Sequence, residues 1–259
     1  MKHRLLATLL IASSTTCFAQ TVSGICMISE SKSEGKPTVA KLMLSESNCE
    51  KNNGGCMEMN SDTVEWQRWS GVSPQALQRE GALSARMTGD AGDFTCDGTV
   101  HDGVLAGRFR FNASQAFAQQ MAKLGFDGIT PRKQLSFLML DITPTWTRQM
   151  QALGVTELTT GRLAGLRALH VDADYIHSMA AAGYPELRAN KLTEMKAVGV
   201  TPERAREAKA MGFQPTEQEL IQMSIFKIDR PFVDRMRARG LHDITLARLI
   251  KIKIFKLED

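Results

Sequence analysis

The feature that most constrains this fold is a glycine that recurs about every 29 residues in the second half of the chain. The glycines are Gly125, Gly154, Gly183, Gly212 and Gly240, and their spacings are 29, 29, 29 and 28 residues. Methionine or alanine stands four residues before each glycine, at Met121, Met150, Met179, Ala208 and Met236. An aromatic residue or arginine stands eight residues before, at Phe117, Trp146, Tyr175, Arg204 and Phe232. Columns that keep register in this way indicate an internal repeat.

Each repeat unit carries the start and stop signals of two short helices. Thr143 and Thr201 precede a proline, which is the preferred order of an N-cap and a first helical residue, and Asp172 and Asp229 occupy the same column. The column glycine ends the first helix, because glycine adopts the left-handed conformation at lowest cost. Threonines then precede the second helices, at Thr130, Thr159, Thr216 and Thr245. Apolar columns follow at Leu135, Leu163, Leu192, Leu220 and Leu249, and at Ile142, Val171, Val200 and Ile228. Helices this short need neighbouring units to bury their apolar faces.

Residues 20–111 have the patterns of β-structure instead. In residues 104–111, Leu105, Gly107, Phe109 and Phe111 alternate with polar or small residues, which favours a strand with one buried face. The Asp-Gly dipeptide at residues 102–103 is typical of a tight hairpin turn between this strand and residues 94–100. We therefore predict an α+β chain, in which a small antiparallel β domain (20–111) precedes an α-solenoid-like array of about five helical hairpins (112–259).

The first 19 residues have the composition of a secretory signal. Lys2 and Arg4 precede a short apolar run, and small residues lead to Ala19, where we predict cleavage. A lipoprotein signal would have an aliphatic residue three positions before Cys17, but Ser14 stands there. No apolar stretch has the 18 or so residues that a membrane-spanning helix requires. The predicted location is therefore the periplasm or the exterior of the cell.

Cysteine usage agrees with export. Four cysteines remain after residue 19: Cys26, Cys49, Cys56 and Cys96. An even number in an oxidising compartment suggests two disulfides, of which three pairings are possible. We favour Cys49–Cys56, because the polar, glycine-rich residues 50–55 can bring its ends together, and this leaves Cys26–Cys96. A zinc site is the alternative, but it would need close Cys pairs or a nearby histidine. We predict no metal site and no cofactor.

Residues 183–187 (Gly-Tyr-Pro-Glu-Leu), followed by Leu192, Met195 and residues 199–203 (Gly-Val-Thr-Pro-Glu), resemble a 29-residue tandem helical repeat of exported bacterial proteins. The same repeat accompanies some membrane metallopeptidases of the antibiotic-sensor type on their extracytoplasmic side. Residues 90–98 and 107–111 resemble the β region that precedes such repeats. The resemblance implies architecture and an envelope location, but no activity for any residue. The chain departs from it at Arg204 and in its final unit, and it contains no His-Glu-x-x-His sequence.

The charge distribution excludes a strongly basic nucleic-acid-binding protein. Removal of residues 1–19 lowers the formal net charge from +4 to +2. Residues 20–111 carry 9 Lys/Arg and 12 Asp/Glu, a net charge of −3, and residues 112–259 carry 21 and 16, a net charge of +5. The sequence has no nucleophile elbow, phosphate loop or dinucleotide-binding motif. We therefore predict a non-enzymatic interaction module that binds another envelope protein or a peptide.

Three groups of residues are candidate sites. Ile252, Ile254 and Phe255 lie in an apolar, basic stretch and are candidates for partner docking. Trp66 and Trp69 could form a stacking platform for a partner or an envelope polymer, although packing explains such residues more often. Four carboxylates around the predicted hairpin could serve a hydrolase or a calcium site, or could be turn residues: Asp90, Asp93, Asp97 and Asp102.

Overall fold

The computed structural model describes residues 21–31, 38–46, 60–186, 188–242 and 244–257, and within them an antiparallel six-stranded sheet precedes ten helices. The fold class is therefore α+β, as predicted. The strands are β1 (Thr21–Ser31), β2 (Val39–Glu46), β3 (Asn60–Val64), β4 (Gly81–Gly89), β5 (Gly92–His101) and β6 (Val104–Ala113). Residues 1–19, Cys49 and Cys56 lie outside the described residues. None of the described helices is long and apolar enough to cross a membrane.

The helices that follow the sheet each contain nine residues. They are α1 (Gln115–Lys123), α2 (Pro131–Met139), α3 (Pro144–Ala152), α4 (Thr160–Ala168), α5 (Ala173–Ala181), α6 (Ala189–Ala197), α7 (Pro202–Ala210), α8 (Glu217–Ile225), α9 (Arg230–Ala238) and α10 (Leu246–Ile254). The odd-numbered helices begin 29, 29, 29 and 28 residues apart, and the even-numbered helices 29, 29, 28 and 29 residues apart. Each odd-numbered helix and the next even-numbered one are numbered below as pairs one to five.

The strand order of the sheet is β3-β2-β1-β6-β5-β4, with antiparallel pairing throughout. The predicted hairpin joins β5 to β6, and Asp102 and Gly103 both have positive φ, as a tight hairpin turn requires. One face of the sheet is buried, with Phe94, Leu105 and Phe111 fully covered. Helix α2 packs on this face against β1, β5 and β6, so it belongs to the core of the sheet as well as to the helices.

A disulfide joins Cys26 on β1 to Cys96 on β5. These strands do not pair with each other, because β6 lies between them. Two ordinary strand spacings would separate their Cα atoms by about 9.6 Å, but the Cα atoms lie 6.2 Å apart, so the sheet is strongly curled at this point. Gly107 of β6 is in register with Cys26, and Gly98 of β5 is opposite Gly107. A Cβ atom on either glycine would collide with the backbone of the other strand, which is why this crowded crossing excludes side chains.

Side-chain N-caps begin nine of the ten described helices. All eight predicted caps are confirmed, because each side chain accepts a bond from a backbone N–H of the first turn: Thr130, Thr143, Thr159, Asp172, Thr201, Thr216, Asp229 and Thr245. Ser114 caps α1 in the same way. At α6 the cap position is Arg188, which makes no such bond.

Every described helix ends in the same backbone motif. A residue with positive φ follows the C-cap, and the next N–H bonds to a carbonyl five residues back, as Phe126 does to Met121 and Ile142 does to Phe137. The column glycines supply the positive φ after the odd-numbered helices, as predicted. After the even-numbered helices this residue is Gly199 once and a non-glycine residue four times, at Asp141, His170, Lys227 and Lys256.

Helices two apart in sequence contact one another, as α4 does α6, α6 does α8 and α5 does α7. Side chains in the last turn of one helix donate hydrogen bonds to the C-cap carbonyl of the helix two before. Gln151 donates to Leu124 O at 2.9 Å, and Arg237 donates to Met211 O at 3.1 Å. The same bond is made by Arg167 to Leu140, Lys209 to Ala182 and Ser224 to Val198. Carbonyls without an intrahelical partner are thereby satisfied between pairs.

Pair four has Arg204 where the other pairs have an aromatic residue, and Arg204 bonds to Ser224, which stands where pairs two and three have a cation. In pairs two and three a cation lies over the column aromatic, Arg167 at 5.3 Å from Trp146 and Lys196 at 4.4 Å from Tyr175. In pair four the Arg204 guanidinium instead donates to the hydroxyl of Ser224 at 2.9 Å, and the hydroxyl donates onward to the neighbouring pair. A cavity of about 40 Å³ remains beside these residues.

The two parts of the chain are joined through the C-terminus of α2. Arg68, which lies between β3 and β4, donates to Leu138 O at 2.6 Å and to Met139 O at 2.7 Å. Arg167 of α4 donates to Asp141 at 2.7 Å, at the same helix end. Burial lowers the pKa of the Arg68 guanidinium below its usual value, and the nearby Asp141 carboxylate opposes that shift. Two arginines, one from each part, therefore cap a single helix.

Candidate partner-binding surface

Four large apolar side chains are exposed at the ends of α8 and α10, where Ile225 and Ile254 are the last helical residues and Phe255 and Leu257 follow α10. Ile225 is 54% exposed, Ile254 50%, Phe255 66% and Leu257 64%, and we call this set the α10 face. Helices α8 and α10 contact each other, and Ile225 and Ile254 hold the same position in them. An exposed group of this size is unusual on a soluble protein and indicates a contact surface.

Earlier residues in the columns of Leu257 and Phe255 are buried or half-buried, whereas the column of Ile225 and Ile254 is exposed at Ala168 and Ala197 as well. Ile142, Val171, Val200 and Ile228 correspond to Leu257, and each of them is at most 2% exposed. Leu140, Leu169, Val198 and Phe226 correspond to Phe255, and all four pack against the core. Phe255 and Leu257 therefore occupy columns that are covered in earlier pairs, but no described helix covers these two residues.

The predicted docking residues divide between this face and the core. Ile254 and Phe255 belong to the α10 face. Ile252 is half-buried and packs against the core, in the column of Phe137, Leu166, Met195 and Met223. The sequence did not single out Ile225 or Leu257, although the 29-residue spacing of Ile225 and Ile254 is a signal that could have found the first of them.

The α10 face lies in the most basic part of the helical half. Residues 230–259 carry eight Lys/Arg and four Asp/Glu, a net charge of +4, whereas residues 112–229 carry 13 and 12, a net charge of +1. Lys251 and Lys256 are exposed on the same segment as Ile254 and Phe255. Lys253 lies over the Phe232 ring at 4.2 Å, within its own pair. An apolar surface bordered by exposed lysines suits an acidic, apolar partner.

Trp66 and Trp69 do not form an exposed platform. Trp69 is 8% exposed and packs edge-on against Phe94 at a ring-centroid distance of 6.0 Å. Trp66 is half-buried against the core. The indole N–H groups of both residues are buried without a hydrogen-bond acceptor among the described residues. Trp69 therefore contributes to the core of the β part, and its ring face is closed to a ligand.

The four candidate carboxylates do not converge. Asp90 and Asp102 lie in the turns at opposite ends of β5, a strand about 30 Å long. Asp93 and Asp97 lie between them, and the side chains of all four are exposed to solvent. A carboxylate pair for hydrolysis must flank one bond at a separation below about 10 Å. Asp90 and Asp102 cannot do so together, and the exposed positions of the other two supply no enclosed site.

Sequence reasoning missed one cluster of ionisable groups, at the tip of the β5–β6 hairpin. His101 Nδ1 lies 3.0 Å from Glu80 Oε2, and the Asp102 backbone N–H donates to Glu80 Oε1 at 3.0 Å. These hydrogen bonds, that of His101 first, lower the pKa of Glu80 below its usual value. All three residues are exposed, so the cluster fastens the hairpin tip to the segment before β4.

A cleft of about 330 Å³ lies between β2–β3 and α2. Leu44, Leu135 and Met139 line it, with Asp62 at its edge. Arg132 on the rim donates to Glu46 at 2.9 Å, and that hydrogen bond raises the pKa of the arginine. Burial raises the pKa of Asp62, whose side chain nevertheless retains solvent contact. Among the described residues, no nucleophile lies in the cleft with a hydrogen-bonded base.

Comparison of the chain with protein-family models, curated proteins and solved structures finds no match.

Proposed function

We propose that this protein is a non-enzymatic, exported interaction module of the bacterial cell envelope. Its helices form a solenoid-like array of five hairpins on a disulfide-tied β domain, with the boundary near residue 112. Such arrays recognise proteins or peptides over extended surfaces, because each unit contacts only its neighbours. The partner is another envelope protein or a peptide, bound in the periplasm or outside the cell.

The α10 face is the observation that carries this proposal. Its four apolar residues are 50–66% exposed. The residues corresponding to Leu257 in four preceding pairs are at most 2% exposed. A partner that covered the face would remove from water the kind of apolar surface that drives association, at about 25 cal/mol per Å². The array supports the proposal further, because bonds between pairs hold the face in place.

Export is supported by the signal-like residues 1–19 and by the Cys26–Cys96 disulfide, which is compatible with an oxidising compartment. The test is cell fractionation with sequencing of the mature N-terminus. We expect Gln20 as the first residue and a protected, oxidised protein in the envelope fraction. A cytoplasmic protein that retains Met1 would contradict the proposed location.

A photoreactive amino acid at Phe255 tests the interaction in the native cell. We expect one discrete adduct from this position. The matched control has the same group at Thr99, which is exposed on the open face of the sheet. A Leu257→Asp substitution should abolish the Phe255 adduct without changing expression. Equal adducts from both positions, or none from Phe255, would contradict the proposed function.

A further inference from the structure

The α10 face restricts the shape of its partner. Phe255 and Leu257 occupy columns whose members in earlier pairs are half-buried or buried, as Ile228 is at 2% exposure. These columns are covered within an array in which helices contact helices, so a helix is a suitable shape for a partner that covers Phe255 and Leu257. An amphipathic helix docks in such a surface through apolar residues spaced three and four apart.

Charge restricts the partner further. The fifth pair, residues 230–259, has a net charge of +4. Lys251 and Lys256 are exposed and make no ion pair with any described residue. Two copies of this chain that met face to face would bring these like charges together, which is unfavourable. An acidic partner would instead pair with both lysines at the edge of the apolar contact.

We infer that the α10 face binds an amphipathic helix whose apolar side covers Ile254, Phe255 and Leu257 and whose flanks are acidic and reach Lys251 and Lys256. The inference rests on the proposed function and adds the chemistry of the partner. The apolar contact supplies affinity, and the lysines select the partner by charge. Binding therefore weakens as salt screens the exposed charges.

The test uses the full chain with its disulfide intact and two synthetic helical peptides of about 18 residues, or five turns. One peptide has leucine on one side and glutamate on the other, and the second has lysine in place of glutamate. Fluorescence anisotropy measures both affinities. We expect the acidic peptide to bind at least tenfold more tightly than the basic one, and the difference to shrink in high salt. Equal affinities, or a preference for the basic peptide, would overturn the inference.

Variants separate the apolar contribution from the charge contribution. Phe255→Asp with Leu257→Asp should weaken binding of the acidic peptide at least tenfold. Lys251→Glu with Lys256→Glu should reverse the preference, so that the basic peptide binds more tightly. The matched control, Lys123→Glu with Arg148→Glu, makes the same charge change on exposed positions of α1 and α3 and should leave the preference unchanged. Circular dichroism verifies that each variant is folded. A control that reverses the preference would show a long-range charge effect and overturn the inference.

An anionic membrane is the competing occupant. Vesicles of phosphatidylglycerol and of phosphatidylcholine test it by sedimentation. If the former bind through Phe255 and Leu257 while the acidic peptide does not bind, the inference is wrong and the face contacts lipid. If the acidic peptide fails but the cellular adduct at Phe255 persists, the partner chemistry is wrong and the proposed function stands. Failure of both measurements overturns both proposals.

Discussion

The sheet and the helices of this chain are held together over very different sequence distances. The Cys26–Cys96 disulfide connects residues 70 apart, and β1 pairs with β6 near the other end of the sheet part. In the helices, the bonds between pairs join residues 26 or 27 apart, as Gln151 does with Leu124. The sheet therefore depends on a few long-range connections, whereas the helices repeat one short-range connection many times.

This difference predicts two kinds of response to damage. Closing long loops is entropically costly, so loss of a single long-range link should weaken the sheet as a whole. The main contacts between the helices join helices two apart in sequence, so damage to one helix should remain close to it. Helix α2 takes part in both the sheet and the helices. It packs on β1, β5 and β6, and Arg68 and Arg167 cap its C-terminus.

Removal of the disulfide should have the largest effect. For a 70-residue loop, Cys26→Ala with Cys96→Ala is expected to lower the free energy of unfolding by about 4 kcal/mol. Urea denaturation measures the loss, and hydrogen exchange should show it in β1, β5 and β6. Cys49→Ala with Cys56→Ala is the matched control, because that predicted pair closes a much shorter loop and should cost only about 2 kcal/mol. If both variants lost the same free energy of unfolding, the length of the loop closed by Cys26–Cys96 would not explain the stability of the sheet.

Truncation of a buried leucine in the helices should cost less and remain local. Leu192 of α6 is fully buried, and Leu192→Ala is expected to cost about 3 kcal/mol, because it leaves a cavity. Hydrogen exchange should rise in α6 and in α4 and α8, which both contact α6, and remain unchanged in β5 and β6. A uniform rise over both parts would show that the chain unfolds as one unit, contrary to the comparison.

Loss of one side-chain hydrogen bond in the helices should have a smaller effect that depends on pH. The hydroxyl of Tyr175 donates to Val200 O at 2.9 Å, and burial raises the pKa of Tyr175 to about 12. Tyr175→Phe should cost about 1 kcal/mol at neutral pH, because the carbonyl loses its donor. A folded-state pKa above the unfolded value of about 10 means that this contribution is complete below pH 10 and is lost as the pH rises through 12.

Urea denaturation at several pH values tests that dependence. The wild type should lose more stability than Tyr175→Phe between about pH 10 and 12, so the two curves should converge. Tyr184→Phe is the matched variant, because its hydroxyl donates to Pro215 O at 2.7 Å and burial also raises its pKa. Parallel curves would mean that the hydrogen bonds of the tyrosine hydroxyls do not stabilise the helices.

The sequence predicted helix starts far better than helix ends. A cap requires a side-chain oxygen, which is visible in the sequence, and all eight predicted caps are present, such as Thr143 and Asp229. The positive φ after the even-numbered helices is mostly held by residues that the sequence does not mark, such as Asp141 and Lys227. There the apolar residue that follows, Ile142 or Ile228, is buried and holds the backbone in place. The ends of the even-numbered helices are thus determined by the burial of the next residue, which the sequence alone does not show.

Long-range packing also explains the remaining differences. The cap register places Gln134, and not Leu135, in the leucine column of Leu163 and Leu192, and Gln134 is buried at 4% exposure. Pair one differs from the others at this column because α2 packs on the sheet. The local sequence pattern of α2 does not show that contact. Strands β3 and β4, at the two edges of the sheet, were not predicted, because Asn60–Val64 has one apolar residue and Gly81–Gly89 consists mostly of glycine and small residues. Of the candidate surface, the sequence indicated Ile254 and Phe255, but only exposure separates them from the half-buried Ile252.

The smallest expected effect tests whether the helical columns are interchangeable between pairs. Arg204→Tyr with Ser224→Lys would give pair four the aromatic and cation of pair three, where Lys196 lies 4.4 Å from the Tyr175 ring. Each single variant removes the Arg204–Ser224 bond, and Ser224→Lys also places two cations together, so both should destabilise. The double variant should regain a favourable coupling of about 0.5 kcal/mol, as exposed cation–π pairs do. A double-mutant cycle in urea measures it. Zero coupling energy would mean that the side chains of one pair cannot replace those of another. The helices would then differ from the sheet only in the sequence distance of their connections, and not in repeating the same connection.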